Sequence, residues 1–395
     1  MNTTQKTIVT LLKSGLAGEK LQLPDQMELE EVFKIIRKQS VMALAYQGAV
    51  NCGIEESHPL MQKLFLYCCQ NLIRSERQMQ DVEKIFEVFE QNQIAYMPLK
   101  GCNLKKLYPK QEYRSMGDAD ILIHPEDHLR IKSALEAIGF QYHGENDHVF
   151  EWKSDALHVE LHKSVVPVTD PDYFTYYGTG WQLAVKGDGY RHDLSLEDAY
   201  LFMFTHFARH YRSSGIGCRH VLDLYVYRNA YPDMDWGYIS RELRKLRLLE
   251  FHENMLRMLE VWFEDREEDE ISCLATNFIF SGGNWGTMEA NVYSTEVKRA
   301  QSNGGVQKTK WKAFCYALFL PREKMTYRYK AVRKYPWLLP VFWVIRLVDA
   351  MITRPWKMVK KLRILKAVDD NEILSHEKAL RMVGLDFGDA QVPEN

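Results

Sequence analysis

The sequence predicts an α+β protein in which a small mixed β-sheet is embedded between N-terminal and C-terminal helical regions. Three observations lead to this fold class. Apolar residues recur at helical spacing over residues 29–93, short strand-like runs separated by turn signals follow over residues 94–166, and helical patterns dominate after residue 196. The sheet is therefore expected in a compact central segment of the chain.

The bulk properties are those of a folded protein. The chain has 395 residues, which is enough for two or three domains, and 46% hydrophobic and 26% charged residues exclude wholesale disorder. A formal net charge of −2 gives no global bias toward nucleic acid or membranes. Seven cysteines without metal-binding spacing and a polar N-terminus without a signal-peptide core predict free thiols and a cytoplasmic protein.

Four segments are predicted along the chain. They are an N-terminal helical region (1–93), an α/β core (94–190), a helical domain (191–300) and a basic, aromatic-rich helical tail (301–395). The first boundary follows from the change to a strand-like run at Ile94. The tail is set apart by charge, because residues 308–366 hold sixteen Lys or Arg against two acids.

Within the core, turn residues separate the individual elements. Gly101 follows the first strand-like run, and Gly139 stands in the usual position after a helix. Ser195 can cap the helix that follows the core, with acids in its first turn. The predicted elements are strands at 94–99, 118–123, 149–153 and 157–161, and helices at 103–108, 126–138 and 196–211.

Two aspartates mark the candidate chemistry. Asp118 and Asp120 lie two apart on a predicted strand, so their carboxylates share one face, with Cα atoms about 7 Å apart. Glu160 would occupy the equivalent face of a neighbouring strand. Three such acids can hold two magnesium ions, which prefer oxygen ligands. The alternative is an ordinary pair of acids in a surface strand or turn.

A longer pattern surrounds these acids and comprises Leu99–Gly101, Leu104, Leu107–Pro109, Arg114–Ile123 and Glu160–His162. This pattern resembles the uncharacterised nucleotidyltransferase family of the DNA polymerase beta-like superfamily. Its most specific part is a Lys-Gly pair followed by Arg-x-x-x-Asp-x-Asp. The resemblance extends to the flanking helices, including His206 and Asp223.

The resemblance implies roles for seven residues. Asp118, Asp120 and Glu160 would be catalytic metal ligands for Mg²⁺ or Mn²⁺. Nucleotide binding would fall to Lys100, Gly101, Arg114 and Ser115, with the turn at Gly101 approaching the triphosphate through backbone amides. Cys102 departs from the small residue that many superfamily members have there. The alternatives are solvated surface charges for the Lys and Arg, and a turn cap for the Ser.

The function implied by the resemblance is metal-dependent transfer of a nucleoside monophosphate from a nucleoside triphosphate (NTP), such as ATP, to an acceptor hydroxyl. The acceptor can be a small molecule, a protein or RNA. Two alternatives stay open. One is a non-catalytic nucleotide-binding accessory protein of a surface-polysaccharide or peptide biosynthetic pathway. The other is a toxin-like nucleotidyltransferase that modifies RNA or protein.

Several histidines suggest other roles. His206 and His210 share a helix face at i, i+4, but no third zinc ligand is evident, and packing against the helix of Asp223 is the alternative. His158 and His162 flank Glu160 and can contact substrate or simply lie at an exposed strand edge. The glycine-rich run 282–286 lacks the Lys-Ser/Thr of a phosphate loop and predicts a turn.

The basic tail mixes cations with aromatic residues. This composition suits an anionic membrane surface or a nucleic-acid backbone, and a packed helical subdomain with a solvated face is the alternative. The most apolar stretch, residues 335–352, is interrupted by Pro336, Pro340, Arg346 and Asp349. These interruptions predict no transmembrane span but allow a position peripheral to a membrane.

Overall fold

The computed structural model describes residues 1–284, 286, 291–292, 318–322, 325–326, 329–353, 356, 360, 363 and 370–385. The chain forms two compact units. The first comprises Met1–Arg209 and Ile216–Trp285, and the second His210–Gly215 and Gly286–Asn395. The α+β class is confirmed, because a small mixed sheet stands among many helices. The predicted boundaries at residues 93, 190 and 300 stay predictions.

The first unit contains a five-stranded sheet in the order β1-β2-β5-β4-β3. Strands β2 and β5 are parallel, and the other neighbours are antiparallel. The sequence predicted β2 and β4 with the observed bounds and β5 with a shift of one residue. It missed β3, an edge strand with no buried residue, because nothing apolar distinguishes it. The strands are β1 (Tyr96–Pro98), β2 (Asp118–Ile123), β3 (Gln141–Glu145), β4 (Val149–Lys153) and β5 (His158–His162).

One face of this sheet is an apolar core. Side chains alternate along a strand, so Ala119, Ile121 and Ile123 of β2 point to the same side as Val159 and Leu161 of β5. Helices α4 (Pro59–Gln91) and α6 (His128–Ala137) supply residues to this core. Every second residue of β2 and β5 is therefore left for the opposite face. The helical residues of this core are Met79, Val82, Ile85, Phe89, Ile131 and Leu135.

The helices follow the predicted pattern with local differences. The predicted helix at 126–138 begins as α6 at His128, and Gly139 adopts the left-handed conformation expected after it. The remaining helices of the first unit are α1 (Thr3–Ala17), α2 (Leu29–Lys38), α3 (Met42–Asn51), α5 (Gly101–Lys105), α7 (Pro171–Tyr177), α8 (Leu196–Ser213, which ends in the second unit), α9 (Cys218–Ala230), α10 (Trp236–Lys245), α11 (Leu249–Phe263) and α12 (Glu270–Ser281). A two-stranded hairpin, β6 (Ala184–Lys186) and β7 (His192–Leu194), was not predicted.

The second unit contains described helices that we label α13 (Lys330–Lys334), α14 (Leu339–Thr353) and α15 (Asp370–Met382). The 18-residue stretch Pro336–Thr353 has a mean hydropathy of 1.4 and meets the length and composition of a membrane-crossing helix, and none of it is buried. One such helix is weak evidence by itself, so the expectation of no span stays a prediction. Much of the basic tail lies outside the described residues.

Candidate metal centre

The register between β2 and β5 brings the three predicted acids together. Asp118 lies opposite His158, and Asp120 lies opposite Glu160. Because these strands are parallel and in this register, all four side chains leave the sheet on the face opposite the apolar core. Glu151 of β4 lies opposite Glu160 and extends the row of carboxylates. No pattern in the sequence distinguishes Glu151, which is one of two charged residues in its strand.

Asp120 is buried and has partners for both carboxylate oxygens. Lys100 Nζ lies 3.4 Å from Oδ2, and His162 Nε2 lies 3.0 Å from Oδ1. Burial alone would raise the pKa of Asp120, but the positive charge of Lys100 and the hydrogen bond from His162 outweigh it. The net effect lowers the pKa well below the usual range, so this carboxylate is ionised in the folded protein.

The pKa values of Asp118 and Glu160 are shifted in the opposite direction from that of Asp120. Burial and the negative charge of Asp120 raise the pKa of Asp118, and the same two causes, joined by repulsion from Asp118, raise the pKa of Glu160 to about 7. Three acids held this close repel one another when all are ionised. A cation placed among them would relieve that repulsion.

A second histidine, His148, contacts His162 on the side away from Asp120. His162 Nδ1 lies 3.1 Å from His148 Nε2, so His162 bridges Asp120 and His148. Burial, followed by the nearby His162, lowers the pKa of His148 to about 3 and keeps its ring neutral. No local pattern points to His148, because its contact with β5 depends on the pairing of β4 with β5. This histidine pair fixes the orientation of Asp120.

The ligand types and spacing suit a divalent cation. Two overlapping groups have potential ligand atoms within 4.8 Å of one another: Asp118, His158 and Glu160, and Asp120, Glu160 and His162. Carboxylate oxygens are ligands for Mg²⁺ and Mn²⁺, and imidazole nitrogen adds affinity for the transition ions. The residues present therefore fit the metal implied by the family resemblance.

The backbone of β1 and α5 places Lys100 at this centre. Leu99 N donates a hydrogen bond to Asp120 O at 3.0 Å, which aligns the following residue with the carboxylate. A Cβ added to Gly101 would lie 3.3 Å from Met116 Sδ and 3.4 Å from Asp118 O. The close approach of this turn to β2 therefore favours glycine at position 101.

Arg114, predicted to bind phosphate, is paired with another acid in this structure. Its guanidinium is buried and donates to both carboxylate oxygens of Asp223, at 2.7 and 2.9 Å, and to Gly101 O at 3.3 Å. Tyr108 also donates to Asp223 at 2.8 Å. The guanidinium of Arg114 is therefore already paired. It does not lie beside the carboxylates of the metal centre as a free cation that could bind phosphate. It lies beneath the turn at Gly101 and ties that turn to α9.

Ser115 also points away from the acids, since its hydroxyl donates to Ser40 O at 3.1 Å. Its backbone oxygen accepts from Arg219 Nη1 at 3.0 Å, and the positive charge of Arg219 partly offsets the raised pKa of Asp118. No motif in the sequence points to Arg219. His206 stacks on His220 of α9, with ring centroids 6.2 Å apart, in agreement with the packing alternative for this residue.

A cavity of about 350 Å³ adjoins the centre at Lys100. The aromatic ring of Phe202 forms part of its wall, with Lys100 Nζ 5.5 Å from the ring centroid. Tyr227 and Tyr231 line the cavity as well, together with the ion pair of Arg191 and Asp193. Its size and its largely apolar wall with a few charged groups are typical of small-molecule sites.

The raised pKa of Glu160 predicts a pH dependence of stability. The pKa of the carboxyl is about 4.5 in the unfolded chain, whereas it is about 7 in the folded protein. Between these values the folded, metal-free protein binds more protons at this site than the unfolded chain does, so this site lowers stability as pH rises. We expect Glu160→Gln to remove the contribution, so that its melting temperature relative to wild type increases from about pH 5 to about pH 8.

The measurement is thermal unfolding with excess chelator, and Glu126→Gln on the exposed surface is the matched control. The control should follow the wild-type curve. A constant difference between Glu160→Gln and wild type across this pH range would contradict the prediction.

Fold and site together define an α+β protein with a carboxylate and imidazole centre suited to cations. A family model described as an uncharacterised nucleotidyltransferase matches residues 25–264, and the chain belongs to this family. This membership supports a general nucleotidyltransferase role, as the resemblance of the sequence implied. Comparisons with curated proteins and with solved structures return no match.

Proposed function

We propose that the protein is a metal-dependent nucleotidyltransferase that moves a nucleoside monophosphate from an NTP to an acceptor hydroxyl. The observation that supports this most directly is the parallel register of β2 and β5, which puts Asp118, Asp120 and Glu160 on one face. Family membership points to the same chemistry. The adjoining cavity offers room for the organic part of a substrate.

The residues of the centre would have distinct roles. Asp118, Asp120 and Glu160 hold the metal, Mg²⁺ or Mn²⁺, which when bound would neutralise phosphate charge and activate the acceptor hydroxyl. Lys100 is the cation nearest Asp120 among the described contacts and can move to a phosphate oxygen, where it acts as a point charge. His162 and His148 keep Asp120 in place. Gly101 allows the close turn between β1 and α5.

The test is incubation of the full chain with each α-labelled NTP and Mg²⁺ or Mn²⁺ in the presence of cell extract. Label transferred to a product, with release of pyrophosphate, supports the enzyme. Separate incubations with tRNA, protein and sugar acceptors distinguish a small-molecule enzyme from the toxin-like alternative. Nucleotide binding without transfer in every mixture would instead support the accessory-protein alternative.

We also propose that the protein works at the cytoplasmic surface of an anionic membrane. Exposed apolar side chains of the Pro336–Thr353 stretch recur every three or four residues and form a stripe. Arg333 and Lys334 precede this stripe. Apolar and aromatic groups beside cations suit the interface of an anionic bilayer better than a nucleic-acid backbone. The stripe consists of Trp337, Val341, Val344, Val348 and Ile352.

We expect the full chain to sediment with phosphatidylserine-containing vesicles at low salt, and Val344→Asp with Ile352→Asp to reduce the bound fraction several-fold. Salt should weaken binding only in part, because apolar contacts are not screened. Leu129→Asp, an equally exposed position on α6, is the control and should bind like wild type. Equal binding by all three forms would refute the membrane surface. Salt-sensitive binding to RNA but not to vesicles would replace it with a nucleic-acid partner.

A further inference from the structure

The two groups of potential metal ligands share Glu160 but differ in the availability of their other members. In the group with Asp120, both carboxylate oxygens already contact Lys100 and His162. The carboxylate can only accept a hydrogen bond, so His162 Nε2 carries the proton. His162 Nδ1 is engaged with His148. In this arrangement His162 has no free nitrogen lone pair for a metal and instead orients Asp120.

In the group with Asp118, the potential ligand atoms are available to a metal. Within the described part of the chain, no side-chain hydrogen bond or ion pair involves the Asp118 carboxylate. His158 Nε2 lies 4.0 Å from Glu151 Oε2, which is beyond hydrogen-bonding distance. The ring therefore keeps an accessible lone pair on the face it shares with Asp118 and Glu160.

We propose that His158 is a nitrogen ligand, together with Asp118 and Glu160, of a divalent cation, and that this half of the centre selects Mn²⁺ over Mg²⁺. Mg²⁺ strongly prefers oxygen ligands, whereas the transition ions gain affinity from imidazole. The inference rests on the proposed function only in taking a divalent cation as the cofactor. It assigns a role to a histidine that the three-carboxylate hypothesis left without one.

The experiment uses the full chain and Mn²⁺ alone, without nucleotide. Electron spin echo measurements on bound Mn²⁺ should show coupling to an imidazole nitrogen in wild type. His158→Gln should abolish this coupling and weaken Mn²⁺ binding by about tenfold or more, while Mg²⁺ binding measured by competition changes much less. His143→Gln, an exposed histidine of the edge strand β3, is the matched control and should retain both coupling and affinity.

A second variant separates the two histidines of the centre. His162→Gln should retain the nitrogen coupling, because His162 orients Asp120 and does not bind the metal. Loss of coupling in His162→Gln with retention in His158→Gln would overturn the proposal, as would wild-type Mn²⁺ binding without nitrogen coupling or no Mn²⁺ binding at all. Circular dichroism establishes that each variant is folded.

The outcome is independent of catalysis. A chain that binds Mn²⁺ through His158 but transfers no nucleotide would retain this inference and refute the proposed enzyme. A chain that transfers nucleotide with Mn²⁺ bound only through oxygen would do the reverse.

Discussion

Asp120→Asn is expected to reduce nucleotide transfer on the order of 10²-fold or more while leaving the protein folded. The amide has the size of the carboxylate and can still accept hydrogen bonds, so the fold should survive. It lacks the negative charge that a divalent cation requires and that Lys100 now faces at 3.4 Å. Transfer of labelled nucleotide by the purified variant, together with its circular dichroism spectrum, measures the effect.

Asp155→Asn is the control for this substitution, because Asp155 is an exposed acid in the turn between β4 and β5. It should retain wild-type transfer. Undiminished transfer by folded Asp120→Asn would show that the carboxylate has only a structural role and would remove the central element of the proposed mechanism.

Arg114→Met is expected to lower the free energy of unfolding by about 3–5 kcal/mol. The substitution leaves the buried carboxylate of Asp223 without the two hydrogen bonds that the guanidinium donates. An unpaired buried charge destabilises the protein by more than the ion pair stabilised it. The double variant Arg114→Met/Asp223→Leu removes both charges and should therefore recover much of the lost stability. Chemical denaturation followed by tryptophan fluorescence gives the change in stability.

Arg130→Met provides the comparison at the surface. Arg130 is about half exposed and pairs with Asp127, so its loss should cost less than about 1 kcal/mol. A stability of Arg114→Met close to that of wild type would show that Asp223 is solvated or protonated in the folded protein. Nucleotide transfer by the variant is informative as well, because Arg114 also supports the turn at Gly101.

Local patterns in the sequence were sufficient for much of the fold. Alternation along β2 predicted its bounds and the shared face of Asp118 and Asp120. Helical spacing located α4 and α6, and Gly139 marked the end of the latter. These features depend on periodicity and backbone conformation, which a short stretch of chain expresses by itself. The exposed edge strand β3 was not predicted, because it buries no apolar residue.

The sequence by itself therefore determined the α+β class, the family resemblance and the pair of aspartates on one strand face. Only the tertiary structure decided what surrounds them. Arg114 meets Asp223 across 109 positions of chain, and His162 meets Asp120 across 42. These contacts depend on the packing of α9 and on the parallel register of β2 and β5. No local pattern encodes such long-range pairing, because the partners come together only when the separate elements pack.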